Sequence, residues 1–93
     1  MNIEHESQES PQKCGRFWVK NEIGEMVAEL TYFYEDAHTI NANHTFVDPC
    51  LRGQGVADKP YHALVDFVQA KQLILHPTCS YIMAKWERDR HNR

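Results

Sequence analysis

Val47-Asp48-Pro49-Cys50-Leu51-Arg52-Gly53-Gln54-Gly55-Val56-Ala57 is the stretch on which the reading of this 93-residue chain turns. Before it, apolar residues alternate with a period of two. After it, Ala57, Tyr61, Leu64, Val65 and Val68 recur at helical spacing through to about Lys71. The stretch therefore joins the end of a strand to the start of an amphipathic helix. Unpaired amide donors and the positive end of the helix dipole coincide there, which favours a bound anion. Gly53 and Gly55 lack the Cβ atoms that would hold such an anion away from the backbone, and Ala57 is small enough for close helix–strand packing. Arg52 adds a cation, and Lys59 supplies a second.

Towards the N-terminus, Arg16 to Lys20 reads as a strand and Asn21-Glu22-Ile23-Gly24 as a turn. In Met26 to Tyr34 the residues Met26, Ala28, Leu30, Tyr32 and Tyr34 share an apolar face, and the opposite face is mixed. Glu35-Asp36 turns the chain into a third strand, about Thr39 to Val47, with Ile40, Ala42, His44 and Phe46 expected on one face. These three strands form an antiparallel meander.

Towards the C-terminus, Leu73-Ile74-Leu75 reads as a strand buried on both faces, so strand, helix and strand make a parallel crossover. Pro77-Thr78 then introduces a second helix with Thr78 as its N-cap and Cys79, Ile82, Met83 and Trp86 as its apolar stripe. The charged end from Glu87 to Arg93 is expected to fray. The fold class is α+β (α/β), a mostly antiparallel twisted sheet with one parallel β-α-β crossover and a C-terminal helix.

Length and composition allow one domain, about residues 15–93, preceded by a polar flexible tail over residues 1–14. A core this small leaves either a monomer or a weak homodimer. The formal net charge of −3 argues against a nucleic-acid binder, since phosphate neutralisation needs a basic surface, and against a polybasic membrane anchor. No run approaches the roughly 20 apolar residues of a membrane span, and the N-terminus lacks the pattern of a signal peptide. Cys14, Cys50 and Cys79 are an odd number without paired spacing, which fits a reducing, cytoplasmic setting. The histidines and cysteines show no coordinating spacing, so no metal is expected.

The segment Arg52-x-x-Gly55-x-Ala57 resembles the Q/R-x-x-G-x-G/A acetyl-CoA signature of the GNAT N-acetyltransferase superfamily. Val47-Asp48-Pro49-x-Leu51-Arg52-Gly53-Gln54-Gly55 is similar to the longer form V-x-P-x-x-R-G-x-G. His44-Thr45 and His76-Pro77-Thr78-Cys79-Ser80-Tyr81 narrow the resemblance to a short branch of that superfamily, over about Arg16 to Trp86. It implies a minimal GNAT fold without the N-terminal helices and final strands of the full-length enzymes. Acetyl-CoA is the implied co-substrate and an amine the implied acceptor. Its pantetheine arm would pair with the strand through Phe46 and Val47, and its pyrophosphate would lie on Arg52, Gly53, Gln54, Gly55, Val56 and Ala57, with Lys59 nearby. The alternative is a non-catalytic acetyl-CoA-binding module or interaction subunit. Asp58-Lys59-Pro60 departs from the family pattern, so the helix is expected to start late or bend.

Three side chains are candidates for the chemistry. Cys79, in the first turn of the second helix, sits where the dipole favours a thiolate; it is either a transient acetyl acceptor or a small core residue. His44 is either a proton acceptor or a packed strand histidine. Tyr81 is either the acid that protonates departing CoA, as the resemblance implies, or a core ring. Lys85, Arg88 and Arg90 form a basic cluster suited to the CoA 3′-phosphate or simply a solvated helix face.

Overall fold

Four strands in sequence order, β1 (Asn2–Gln8), β2 (Cys14–Lys20), β3 (Met26–Tyr34) and β4 (Thr39–Val47), lead through one 3-10 turn, Pro49–Leu51, into α1 (Asp58–Lys71). β5 (Ile74–Pro77) and α2 (Ser80–His91) follow. The structure is a computed structural model that describes residues 2–9, 13–51, 53 and 55–91. The strands form one sheet in the order β1-β2-β3-β4-β5. β1 to β4 pair antiparallel and β5 pairs parallel to β4, so the expected meander plus parallel crossover is present.

One face of the sheet carries the core. Phe17, Leu30, Tyr32, Ile40, Ala42 and Leu75 pack against Tyr61, Leu64, Val65 and Val68 of α1 and Ile82 of α2. The α1 residues are those whose spacing marked the helix in the sequence. α1 begins at Asp58, which makes Pro60 its third residue. A proline there has no intrahelical partner to lose, so the helix starts neither late nor broken. Gln72 ends it in the left-handed conformation at φ 56°. Among the described residues, no helix is long and apolar enough to cross a membrane.

The stretch expected as a tail departs from that expectation, because Asn2–Gln8 adds a strand along β2. Its sequence is polar, so no apolar alternation advertises it. It is held instead by His5, whose ring stacks on Phe17 at 4.1 Å and 7° and whose Nε2 lies 2.8 Å from the Tyr32 hydroxyl. The Tyr32 side chain reaches His5 by crossing over Gly15. A Cβ at residue 15 would come within 2.6 Å of the tyrosine ring and 2.7 Å of the Glu6 carbonyl. Only glycine leaves that passage open.

β4 contains the second departure. Thr31 faces His44 but Tyr32 faces Ala42, so Asn43 is an extra residue skipped by the ladder register. A bulge of this kind reverses the alternation beyond it. Thr45 and Val47 therefore lie opposite Leu30 and Ala28, on the helix-covered face. His44 and Phe46 lie opposite Thr31 and Glu29 on the outer face, and do not share a face with Ile40 and Ala42.

The last strand and helix are also shifted. β5 starts at Ile74 and is covered on one side only: Leu75 is 7% exposed, Ile74 63%. It lies at the sheet edge, and the helices cover just its inner face. α2 starts at Ser80, and the Thr78 hydroxyl donates to Asn41 Oδ1 at 2.6 Å, away from the helix amides it was expected to cap. Ile82 is fully buried and Trp86 packs on the core, whereas Met83 is turned to the outside at 44% exposure. The helix continues to His91, through the segment expected to fray.

Candidate functional site

The ladder between β4 and β5 runs only from Thr39 to Ala42. It stops because Pro77 ends β5 and the next two amides, of Thr78 and Cys79, both donate to the Ala42 carbonyl, at 3.0 and 3.1 Å. The chain then swings away as α2, and among the described residues Asn43–Val47 has no strand paired to it on that side. Between this bare edge and the start of α2 lies a groove of about 850 Å³, with Thr45 and Val47 on one wall, Cys79 and Tyr81 on the other, and Gly55 and Ala57 at one end.

That end is the glycine turn. Gly53 and Gly55 have φ of 84° and 74°, a region L side chains rarely adopt. Val56 is buried with Val19, Val27 and Ala28, which anchors the turn from below. Ala57 stands at the N-cap of α1 and offers no side chain to bond the first amides. The amides of Asp58 and Lys59 are taken by the carbonyls of Gly55 and Val56. Those of Gly53, Gly55, Val56 and Ala57 meet no acceptor among the described residues. Free donors at a helix N-terminus beside a groove suit an anion. Arg52 and Gln54, also expected to hold the pyrophosphate, lie outside the described residues.

A carboxylate stands next to this turn. A Cβ on Gly55 would lie 3.8 Å from Asp58 Oδ2. Left alone, Asp58 would repel an incoming anion, but Lys85 of α2 ion-pairs with it and Tyr81 donates to its Oδ1 at 2.7 Å. The Lys85 ammonium, and against burial the Tyr81 hydroxyl, hold the Asp58 carboxyl below the ordinary carboxylate value. Among the described residues Arg88 is the one charged residue lining the groove. Arg90 carries no described side chain.

Cys79 occupies the N-cap position of α2, one residue before the helix. Its Sγ is 3.3 Å from the Thr45 hydroxyl across the groove. Burial pushes its pKa up, but the Thr45 hydroxyl and the amides of Ile82, Tyr81 and Thr45 outweigh it, leaving the thiol below its ordinary value. Tyr81 behaves oppositely. Burial and then its bond to Asp58 raise its pKa well above the ordinary phenol range, so it stays protonated at neutral pH.

Of the residues singled out from the sequence, the structure brings together Val47, Gly53, Gly55, Val56, Ala57, Cys79 and Tyr81. His44 is not among them. It is exposed on the far face of the sheet, put there by the bulge at Asn43. The Phe46 side chain also points to that face, although its backbone belongs to the bare edge. Lys59 is exposed and does not line the groove. Sequence reasoning missed Thr45 and Asp58. Thr45 was hidden by strict alternation, and the one clue was Asn43, a residue type at home in irregular backbone. Among the described residues, no three His, Cys, Asp or Glu side chains are placed to share a metal ion.

Comparison with known proteins agrees with this architecture. Protein NATD1 of Xenopus tropicalis is 40% identical over 55 residues, covering 59% of this chain and 50% of that protein. Protein NATD1 of Bos taurus is 38% identical over 55 residues, covering 59% and 49%. The chain thus spans about half the length of the curated relatives it matches. Among solved structures, a GCN5-like candidate N-acetyltransferase from Staphylococcus aureus superposes with a TM-score of 0.66 at 28% identity, covering 90% of this chain and 79% of that one. Ribosomal-protein-alanine N-acetyltransferase from Brucella melitensis biovar Abortus 2308 gives 0.63 at 15% identity, covering 81% and 61%, a likeness of fold alone. Residues 16–93 match the sequence profile of the GCN5-related N-acetyl-transferases, and the chain belongs to that family.

Proposed function

We propose that the chain binds acetyl-CoA in the groove beside β4 and transfers its acetyl group to an amine. The observation that carries this reading is the row of amides at Gly53, Gly55, Val56 and Ala57 that meet no acceptor among the described residues, beside a groove whose other wall holds Cys79 and Tyr81. The pyrophosphate would take those amides, with Arg52 and Gln54 contributing from the same turn. The pantetheine arm would run along the bare edge of Phe46 and Val47, pairing with backbone groups that no strand occupies. The thioester then comes to rest near Thr45. The acceptor nitrogen attacks the carbonyl carbon, a C–N bond forms, and the C–S bond breaks. CoA leaves as a thiolate and takes up one proton while the new amide loses one. Tyr81, protonated and lining the groove, would turn its hydroxyl from Asp58 to supply that proton.

A second route has its own support, the cluster of donors around Cys79 Sγ. In it the Cys79 thiolate attacks the thioester, an S-acetyl bond forms on the protein as the bond to CoA sulfur breaks, and CoA departs with the proton the thiol gave up. The amine then attacks the acetyl-cysteine, the C–N bond forms, the C–S bond breaks, and the Cys79 sulfur takes up the proton the nitrogen loses. The mass of the intact protein after incubation with acetyl-CoA separates the routes. A gain of one acetyl group, absent in Cys79→Ala, supports the relay; turnover by Cys79→Ala supports direct attack.

The primary test is a thermal shift with acetyl-CoA and with CoA. Ligand at about a hundredfold excess over its dissociation constant should stabilise by about 3 kcal/mol. Gly55→Glu should abolish the shift, because a carboxylate would stand where the pyrophosphate binds. No shift in the unaltered protein removes the proposal. Binding without release of CoA thiol on any amine would leave a binding module.

A further inference from the structure

Asn41 is the one buried polar residue among those described, at 8% exposure, and both ends of its amide are used. Its Nδ2 donates to Glu35 Oε2 at 2.9 Å, and its Oδ1 accepts the Thr78 hydroxyl at 2.6 Å. The same Glu35 oxygen lies 2.5 Å from His76 Nδ1, so β5 is tied to the β3–β4 turn just before the corner as well. On the other side of Thr78, its amide and that of Cys79 share the Ala42 carbonyl. The corner between β5 and α2 is thus gripped twice, by Ala42 through the backbone and by Asn41 through the Thr78 side chain.

We infer that Asn41 and Thr78 are positioning residues that hold this corner so that Cys79 sits at the N-terminus of α2 facing Thr45. The reasoning is geometric. Thr78 precedes Cys79 directly, and the bond to Asn41 diverts its hydroxyl from capping the helix. The N-cap position and its amides therefore fall to the sulfur. Without that bond the corner keeps only its backbone grip on Ala42, and Cys79 is free to shift out of the cradle, whether the hydroxyl or its partner is removed. The inference rests on the proposed site only for its relevance to acetyl transfer; the arrangement itself is independent of any ligand.

The experiment measures alkylation of Cys79 by iodoacetamide as a function of pH, in a Cys14→Ser, Cys50→Ser background and without CoA. Thr78→Val keeps the side chain's shape and removes its hydroxyl. It should move the midpoint upward towards that of an ordinary thiol and slow labelling at neutral pH by roughly threefold. Thr78→Ser should restore the original profile. Asn41→Leu, which removes the partner rather than the hydroxyl, should act in the same direction. General loosening of the fold would instead expose the sulfur and speed labelling. A Thr78→Val profile that overlays the parent, or labels faster, overturns the inference. Because no CoA is present, this result stands or falls separately from acetyl-CoA binding.

Discussion

Thr39–Ala42 and Asn43–Val47 are two halves of one strand, and different forces hold them. The first half is closed. It has β3 on one side and β5 on the other, and Ile40 and Ala42 are fully buried beneath the helices. Among the described residues the second half pairs with β3 alone. Across its open side run polar links between the helix starts, Tyr81 and Lys85 to Asp58, and the Thr45–Cys79 contact. The contrast shows how a small sheet opens one edge beside a groove. It completes the ladder where apolar packing is needed, ends it with two amides on one carbonyl, and leaves the rest of the strand unpaired to any strand on that side among the described residues.

That contrast can be broken most forcefully in the closed half. Ile40→Ala should cost about 2–5 kcal/mol, read by urea denaturation, since a fully buried branched chain is removed from the centre of the core. A loss well below 1 kcal/mol would mean that this half is not the anchor. Next in size is Gly55→Glu. Its own folding penalty should be about 1–2 kcal/mol for a side chain at positive φ. Its larger effect is loss of the ligand-dependent stabilisation of about 3 kcal/mol, which no closed-half variant that still folds should reproduce.

Acid sharpens the comparison further. Because Lys85 and Tyr81 depress the Asp58 pKa in the fold, its contribution is fully present above the ordinary carboxylate value and is lost as pH falls through the lowered one. Asp58→Asn should therefore flatten the acid limb of the stability profile, by at most about 1 kcal/mol after solvent screening of this half-exposed pair. An unchanged acid limb would show that the link across the open half carries no stability. The smallest effect is expected from His44→Ala. An exposed side chain on the far face should change stability by less than about 0.5 kcal/mol and leave the acetyl-CoA thermal shift intact. Loss of turnover in this variant would return His44 to the site.

Much of this layout could be read from the chain alone, and the failures share a cause. Ala28, Leu30 and Tyr32 alternate and are buried; Tyr61, Leu64, Val65 and Val68 follow helical spacing and are buried. The glycine turn falls at the junction of the two patterns, with both glycines at positive φ. Pattern reading assumes unbroken periods, and Asn43 breaks one, which sent His44 and Phe46 to the wrong face and hid Thr45. It also assumes that strands look apolar. β1 escapes because one histidine, bonded to a tyrosine two strands away, does the work of an apolar stripe. Thr78 looks like a cap in one dimension, and only the fold brings Asn41 close enough to claim its hydroxyl.

The passage of Tyr32 over Gly15 carries a consequence for how the molecule avoids sticking to itself. With β1 in place, the long flank of β2 is covered; without it, a full row of backbone donors and acceptors would face the solvent as a template for any passing chain. One methyl group at residue 15 would act as a wedge, lifting the tyrosine, freeing the histidine, and peeling the first strand away. Protection against fibrous association at that edge thus depends on a hydrogen atom where every other amino acid has carbon.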